Sequence, residues 1–140
     1  MADYLLDTNA ASALIKRRPI GFSDRFVDAV AAGSSVALPA IALFELHYGL
    51  SKSARPDRIM AGISKLLAGR MSVLPFDADD AVRAGSIRAA LESKGQMIGP
   101  YDLLIAAQAV QRGLVLVTAN VDEFSRVEYL KIENWEQARP

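Results

Sequence analysis

Three acids in this chain stand in apolar surroundings. Asp7 closes the run Tyr4-Leu5-Leu6, Glu45 interrupts a helix-like stretch after Ala40-Ile41-Ala42-Leu43-Phe44, and Asp102 precedes Leu103-Leu104-Ile105-Ala106-Ala107. An ionised carboxylate so placed costs on the order of several kcal/mol unless a cation or hydrogen-bond donors compensate. Three of them point to a metal. The chain has no cysteine and a single histidine, His47, so a Cys/His zinc cage and a di-histidine site are both excluded. Oxygen ligands remain. A few carboxylates completed by water and substrate phosphates are the usual way to hold Mg²⁺ or Mn²⁺, so the implied chemistry is phosphoryl transfer.

Each acid has a simpler alternative. Asp7-Thr8-Asn9 is a good helix cap, and Asp102 suits the first turn of a helix through the dipole alone. Glu45 has Ile41, Tyr48 and Gly49 as its i−4, i+3 and i+4 neighbours, an apolar face on which Gly49 permits close approach, so a solvated face explains it poorly. Asp77, Asp79 and Asp80 are expected to cap a helix and need no metal. His47 lies roughly 200° around the helix from Glu45 and is expected to face away from it. The bases Lys16, Arg17, Arg18, Lys52, Arg55 and Arg58 could contact phosphates or simply sit solvated at helix ends.

The elements that must position these acids follow from hydrophobic pattern and punctuation. Strands are expected at 4–6, 36–38, 71–74, 114–117 and 129–132. Helices are expected at 10–16, from a Ser23 cap to 32, from 40 to about 52, from the Arg55-Pro56-Asp57 turn to 67, from an Asp77 cap to about 94, and at 101–112. The pattern predicts a three-layer α/β/α domain around a central parallel sheet. In such sheets the ligand crevice lies beyond the carboxyl ends of the strands, which makes Asp7 and Thr118-Ala119-Asn120 neighbours.

With 140 residues, 51% of them apolar, and sixteen bases balancing sixteen acids, one domain over 1–140 is expected, without the global positive charge of a histone-like binder. No apolar stretch reaches membrane-spanning length, and Met1-Ala2-Asp3 opens no signal-peptide pattern, so the expected location is the cytoplasm, with no membrane partner.

The stretches LLDTNA, PAIALFELHYG, IGPYDLLIAAQA, LVTANVDEF and YLKIENW, in that order, resemble the PIN-domain toxins of the VapC type, including the FitB-like proteins. The resemblance implies a PIN-like fold and a Mg²⁺- or Mn²⁺-dependent endoribonuclease that hydrolyses phosphodiesters with metal-activated water. It implies the toxin of a bacterial type II toxin–antitoxin pair, held by a VapB-like antitoxin that occludes the site, and a homodimer. It also implies that DNA is contacted only through the antitoxin. Transfer RNA and ribosomal RNA are the substrate expectations.

Carried over by position, Asp7 matches the first-strand metal aspartate, Glu45 the acid of the E-x-x-x-G helix, and Asp102 the aspartate after the GP loop. All three are expected as metal ligands. The fourth family position falls on Asn120, with Asp122 and Glu123 nearby, and Asn120 joins the catalytic set on that ground. Thr8 and Thr118 match hydroxyl positions that line the family pocket. Two other hydrolytic or signalling classes fit worse: a haloacid-dehalogenase-like phosphatase needs a second acid where Asn9 stands, and a receiver domain needs a lysine after the last strand. A non-catalytic PIN-like domain that binds RNA or protein is the remaining alternative, given Asn120.

Overall fold

A computed structural model describes residues 3–69 and 71–136. Its centre is a wholly parallel five-stranded sheet in the order β3-β2-β1-β4-β5. β1 (Tyr4–Leu6) lies between β2 (Val36–Pro39) and β4 (Val115–Val117), with Leu5 opposite both Ala37 and Leu116. β3 (Ser72–Leu74) and β5 (Lys131–Glu133) form the edges. The inner strands are unbroken apolar runs because helices cover both of their faces: Leu5, Leu6, Leu38, Leu116 and Val117 are fully buried.

Parallel neighbours require crossovers, and helices supply them. α1 (Thr8–Lys16) and α2 (Ile20–Ala31) connect β1 to β2, and α3 (Ala40–Ser51) and α4 (Pro56–Ala68) connect β2 to β3. α5 (Ala78–Ser93) and α6 (Pro100–Arg112) lead to β4, and the single turn α7 (Val121–Phe124) precedes β5. The result is the expected three-layer α/β/α arrangement. The strand order turns around between β1 and β4, so the crevice between their carboxyl ends is the topological switch point.

Most boundaries fall within a residue or two of the pattern, and the exceptions have local causes. α2 begins at Ile20, after Pro19 as N-cap, and Ser23 lies inside it rather than capping it. The edge strand β5 starts at Lys131 and not at 129, because Tyr129 sits at φ 69° in the left-handed region. The pattern gives no sign of α7, which is too short to be periodic. Asp77 and Asp80 do form a reciprocal capping box at α5, Asp80 N–H donating to Asp77 Oδ1 and Asp77 N–H to Asp80 Oδ2, each at 3.0 Å. Arg112 of α6 completes that corner, donating through its guanidinium to Asp80 Oδ2 at 2.9 Å and to the Pro75 carbonyl at 2.9 Å.

Candidate active site

The site is built outward from the switch point. The Asp7 backbone N–H donates to the Val117 carbonyl at 3.1 Å, fastening the carboxyl ends of β1 and β4 together. The Asp7 side chain is 3% exposed and accepts the Ala10 N–H at 2.7 Å, so it caps α1 while pointing at the crevice. Its capping role and its place in the site are one arrangement. Thr118, buried at the end of β4, places its hydroxyl where it lowers the Asp7 carboxyl, and its Oγ1 accepts the Asn120 N–H at 2.9 Å. Both hydroxyls expected to line the pocket are there: Thr8 Oγ1 donates to Glu45 Oε1 at 2.6 Å, tying α1 to α3 across 37 residues of sequence.

Asp102 lies in the first turn of α6, which begins at Pro100 behind Gly99. Its immediate acidic neighbour is Glu123 of α7. A Cβ built on Gly99 would stand 3.3 Å from Asp102 Oδ2 and 3.7 Å from Glu123 Oε1, so the two carboxylates flank one glycine. Glu123 is itself fixed, Oε1 accepting the Gly99 N–H at 2.7 Å and Oε2 accepting the Asn120 side-chain amide. Asn120, expected as the fourth member, is therefore present as the donor that holds an acid rather than as the group nearest Asp102.

Electrostatics separate this cluster from ordinary surface acids. Burial raises the Asp7 carboxyl above its usual range, against the Thr118 hydroxyl and Ala10 N–H that pull it down, with Glu136 and Glu45 adding to the rise. Asp102 is pushed up to about 6, first by burial and then by Glu123, Asp7 and Glu45. Among the described residues, the charges that shift either group are all other acids.

Among the described residues, no three acidic or imidazole groups close on a single point as they stand. Thr8 holds Glu45, and Gly99 with Asn120 holds Glu123, while Asp102 accepts no hydrogen bond among the described residues. An all-oxygen donor set, a carboxylate without a donor and mutual repulsion together fit a hard divalent cation. His47 is exposed, in keeping with its expected position away from Glu45. One expectation is overturned: a Cβ at Gly49 would meet nothing within 4 Å, so this exposed glycine provides no close approach beside Glu45. The close approach lies instead at Gly62 of α4, where a Cβ would clash with Ile15 Cγ2.

Sequence reasoning leaves Glu123 as one of three possibilities and misses the Gly99 N–H and the Thr8–Glu45 bond. The available signal for Glu123 is its spacing: three residues after Asn120 at the N-cap, it lies in the first turn of a helix too short to show periodicity.

Comparison with known proteins agrees in extent and arrangement. The PIN domain family model matches residues 4–129. The tRNA(fMet)-specific endonuclease VapC of Salmonella typhimurium is 40% identical over 135 residues, covering 96% of this chain and 99% of that protein. Ribonuclease VapC2 of Haemophilus influenzae is 39% identical over the same length and coverage. Among solved structures, DNA-bound VapBC from Salmonella typhimurium superposes with a TM-score of 0.87 at 39% identity, covering 96% of this chain and 99% of that one. VapBC2 of Rickettsia felis, bound to a promoter DNA fragment, gives 0.86 at 34% identity, covering 94% and 98%.

Proposed function

This chain belongs to the PIN-domain family, among the VapC ribonucleases, and from that premise we propose that its acid cluster is a divalent-cation site for cutting RNA. It is a ribonuclease toxin of a toxin–antitoxin module. The observation that carries the site assignment is the set of four carboxylates at the switch point, of which Asp102 is raised to about 6 by burial and by Glu123, Asp7 and Glu45.

Asp7 and Asp102 would hold Mg²⁺ or Mn²⁺, and Glu45 and Glu123 would complete its surroundings. Bound there, the cation supplies Lewis acidity toward the phosphodiester and toward the attacking water. The remaining work belongs to the chain. The α1 cap fixes Asp7, and the Thr118 hydroxyl keeps it oriented. Thr8 engages Glu45 Oε1 and leaves Oε2 as the atom to accept a proton from the attacking water. Asn120 and the Gly99 N–H hold Glu123 beside Asp102, so Asn120 is a positioning residue and Glu123 the fourth acid.

The VapBC complexes that this chain resembles support a VapB-like antitoxin as its partner, and in our reading DNA is reached only through that antitoxin. Half-exposed Phe44 and Tyr101, with ring centroids 5.4 Å apart, and exposed Tyr48 form an apolar surface for a second copy of the toxin. No helix among the described residues is long and apolar enough to cross a membrane, and we place the module in the cytoplasm.

The decisive test is cleavage of RNA by purified protein with Mg²⁺ or Mn²⁺, in chelator, and after metal is restored. Cleavage that follows the metal through all three steps is expected. Binding of RNA without cleavage under any of the metal conditions would select a non-catalytic PIN-like domain instead.

A further inference from the structure

Away from the acids, a cavity of about 460 Å³ opens between the end of α1 and the start of α4, its apolar floor Ile15 and Ile59 and its polar lining Lys16, Arg18, Ser53, Arg55 and Arg58. Among the described residues Lys16, Arg18 and Arg58 have no acidic partner, and the one pair in the group, Arg55 with Asp57 at 3.7 Å, is well exposed and so weak. A positive charge at the end of α1 agrees with that helix's dipole. Arg55 and Arg58 do not have this explanation: Arg55 is the N-cap of α4 and Arg58 lies in its first turn, where the dipole already disfavours a cation. Cations gathered around one cavity repel one another, and an anion seated there would relieve that repulsion. Ser53 Oγ accepts the Arg55 N–H at 3.0 Å, which leaves its own O–H free to donate into the cavity.

The position of the cavity relative to the acids identifies that anion. α1 starts with Thr8, bonded to Glu45, and ends at Lys16, eight residues or about 12 Å further on. α3 runs the same course from Glu45 to Ser51, so two helices lead from the acid cluster to the basic one. A distance of about 12 Å corresponds to a few nucleotides at roughly 3.4 Å or more per phosphate along one strand. With no net charge to steer a polyanion and four carboxylates at the point of cleavage, the protein needs a local cationic anchor. From this geometry we infer that the Lys16–Arg18–Arg55–Arg58 cavity is a phosphate-backbone subsite that holds the RNA a few nucleotides from the bond to be cut. The inference rests on the ribonuclease reading above and adds to it where the strand lies.

The test measures binding of a labelled single-stranded RNA oligonucleotide in chelator, where nothing is cut, across a range of salt. Arg18→Gln/Arg58→Gln is compared with Arg88→Gln/Lys94→Gln, which removes the same charge from side chains already paired with Glu92 and Glu128. All four side chains are exposed, and matching melting temperatures confirm that the variants fold. The first variant is expected to bind about tenfold more weakly, with a log–log salt slope smaller by about 1.4 for two lost single-strand contacts. The second is expected to match wild type. Equal affinity and slope in all three proteins would overturn the subsite while leaving metal-dependent cleavage by wild type intact. Binding that depends on Arg18 and Arg58 in a protein that never cleaves would keep the subsite and remove the ribonuclease reading. No RNA binding by wild type overturns both. Loss of the co-expressed antitoxin from the Arg18→Gln/Arg58→Gln protein, with RNA affinity unchanged, would make the cavity a protein contact and reject the inference.

Discussion

At the amino end of α5, Asp77 and Asp80 meet Arg112; at the carboxyl ends of β1 and β4, Asp102 feels the repulsion of Glu123, Asp7 and Glu45. Both clusters gather acids beside helix N-termini, and both bury one carboxylate almost completely, Asp80 at 0% and Asp7 at 3% exposure. In the first, a guanidinium and two backbone N–H groups compensate the charge, and Asp77 is lowered below its ordinary range. In the second, Asp7 and Asp102 are both raised. A cluster that contains its own cation is a structural joint, whereas the acids at the switch point have no cationic partner among the described residues, which is the ground for the cation site proposed above.

The largest expected difference between the two lies in activity. Asp7→Asn and Asp102→Asn should each lower cleavage by more than about 100-fold, the upper range for losing a mere outer partner of a metal site. Both should remain folded. Asp80→Asn should show the reverse pattern, losing about 2–3 kcal/mol of stability because the buried side of an ion pair is broken, with activity per folded molecule retained. Rates normalised to the folded fraction, from circular dichroism, check this. A folded, inactive Asp80→Asn protein would dissolve the distinction.

Stability against pH, measured in chelator, gives the next largest contrast. Asp102 has a folded pKa of about 6, above its ordinary value of 3.8, so the folded state binds the proton more tightly than the unfolded one. Its contribution is fully present below about 4 and is lost as pH rises through about 6. Asp77 is lowered, so its contribution is present above the ordinary value and is lost on acidification. Melting temperatures between pH 4 and about 7 should therefore fall less in Asp102→Asn than in wild type. Divalent cation should also stabilise wild type more than this variant. A steeper fall in the variant would contradict the assignment of Asp102 as the uncompensated acid.

Much of this is legible in the sequence, for reasons that differ by residue. Asp7, Glu45 and Asp102 stand out because they close, interrupt and precede apolar runs, and the parallel sheet follows from unbroken runs separated by helices. The Asp77 box is readable because capping is local, three residues apart. What stays hidden depends on contacts between distant segments. Gly99 meets Glu123 across 24 residues and Arg112 meets Asp80 across 32, and neither pair leaves a periodic trace. The Gly49 reading fails for a related reason: a glycine in a helix marks close packing only if another element arrives there, and the close contact of α4 lies elsewhere, at Gly62 against Ile15.

Within the uncompensated cluster, Glu123 and Asn120 should separate by a smaller margin. Glu123→Gln removes a charge beside Asp102 and should reduce both cleavage and the Mn²⁺-induced rise in melting temperature. Asn120→Ala removes only one of the two donors holding Glu123 and should weaken cleavage roughly 10-fold, as loss of an outer partner does, with the Mn²⁺ shift largely kept. The opposite ranking in a thermal-shift series would return Asn120 to the fourth position and make Glu123 its support.

The smallest effect is expected at Gly99, which the carboxylates of Asp102 and Glu123 flank. Gly99→Ala places a methyl 3.3 Å from Asp102 Oδ2, tighter than an ordinary contact, and 3.7 Å from Glu123 Oε1, which is comfortable. The backbone can accept alanine, since Gly99 has φ −55°, outside the left-handed region that favours glycine. Only Asp102 must yield, by a few tenths of an ångström, and its carboxylate has no hydrogen bond among the described residues to resist the shift. The Gly99 N–H still reaches Glu123. Cleavage should therefore drop only several-fold, with the Mn²⁺ requirement shifted to higher concentration and folding unchanged. A metal titration of the cleavage rate is the measurement. Unchanged metal dependence with a lower maximal rate would mean that the methyl obstructs the RNA and not the Asp102 carboxylate, and that Asp102 has more freedom than its crowding by Glu123 implies.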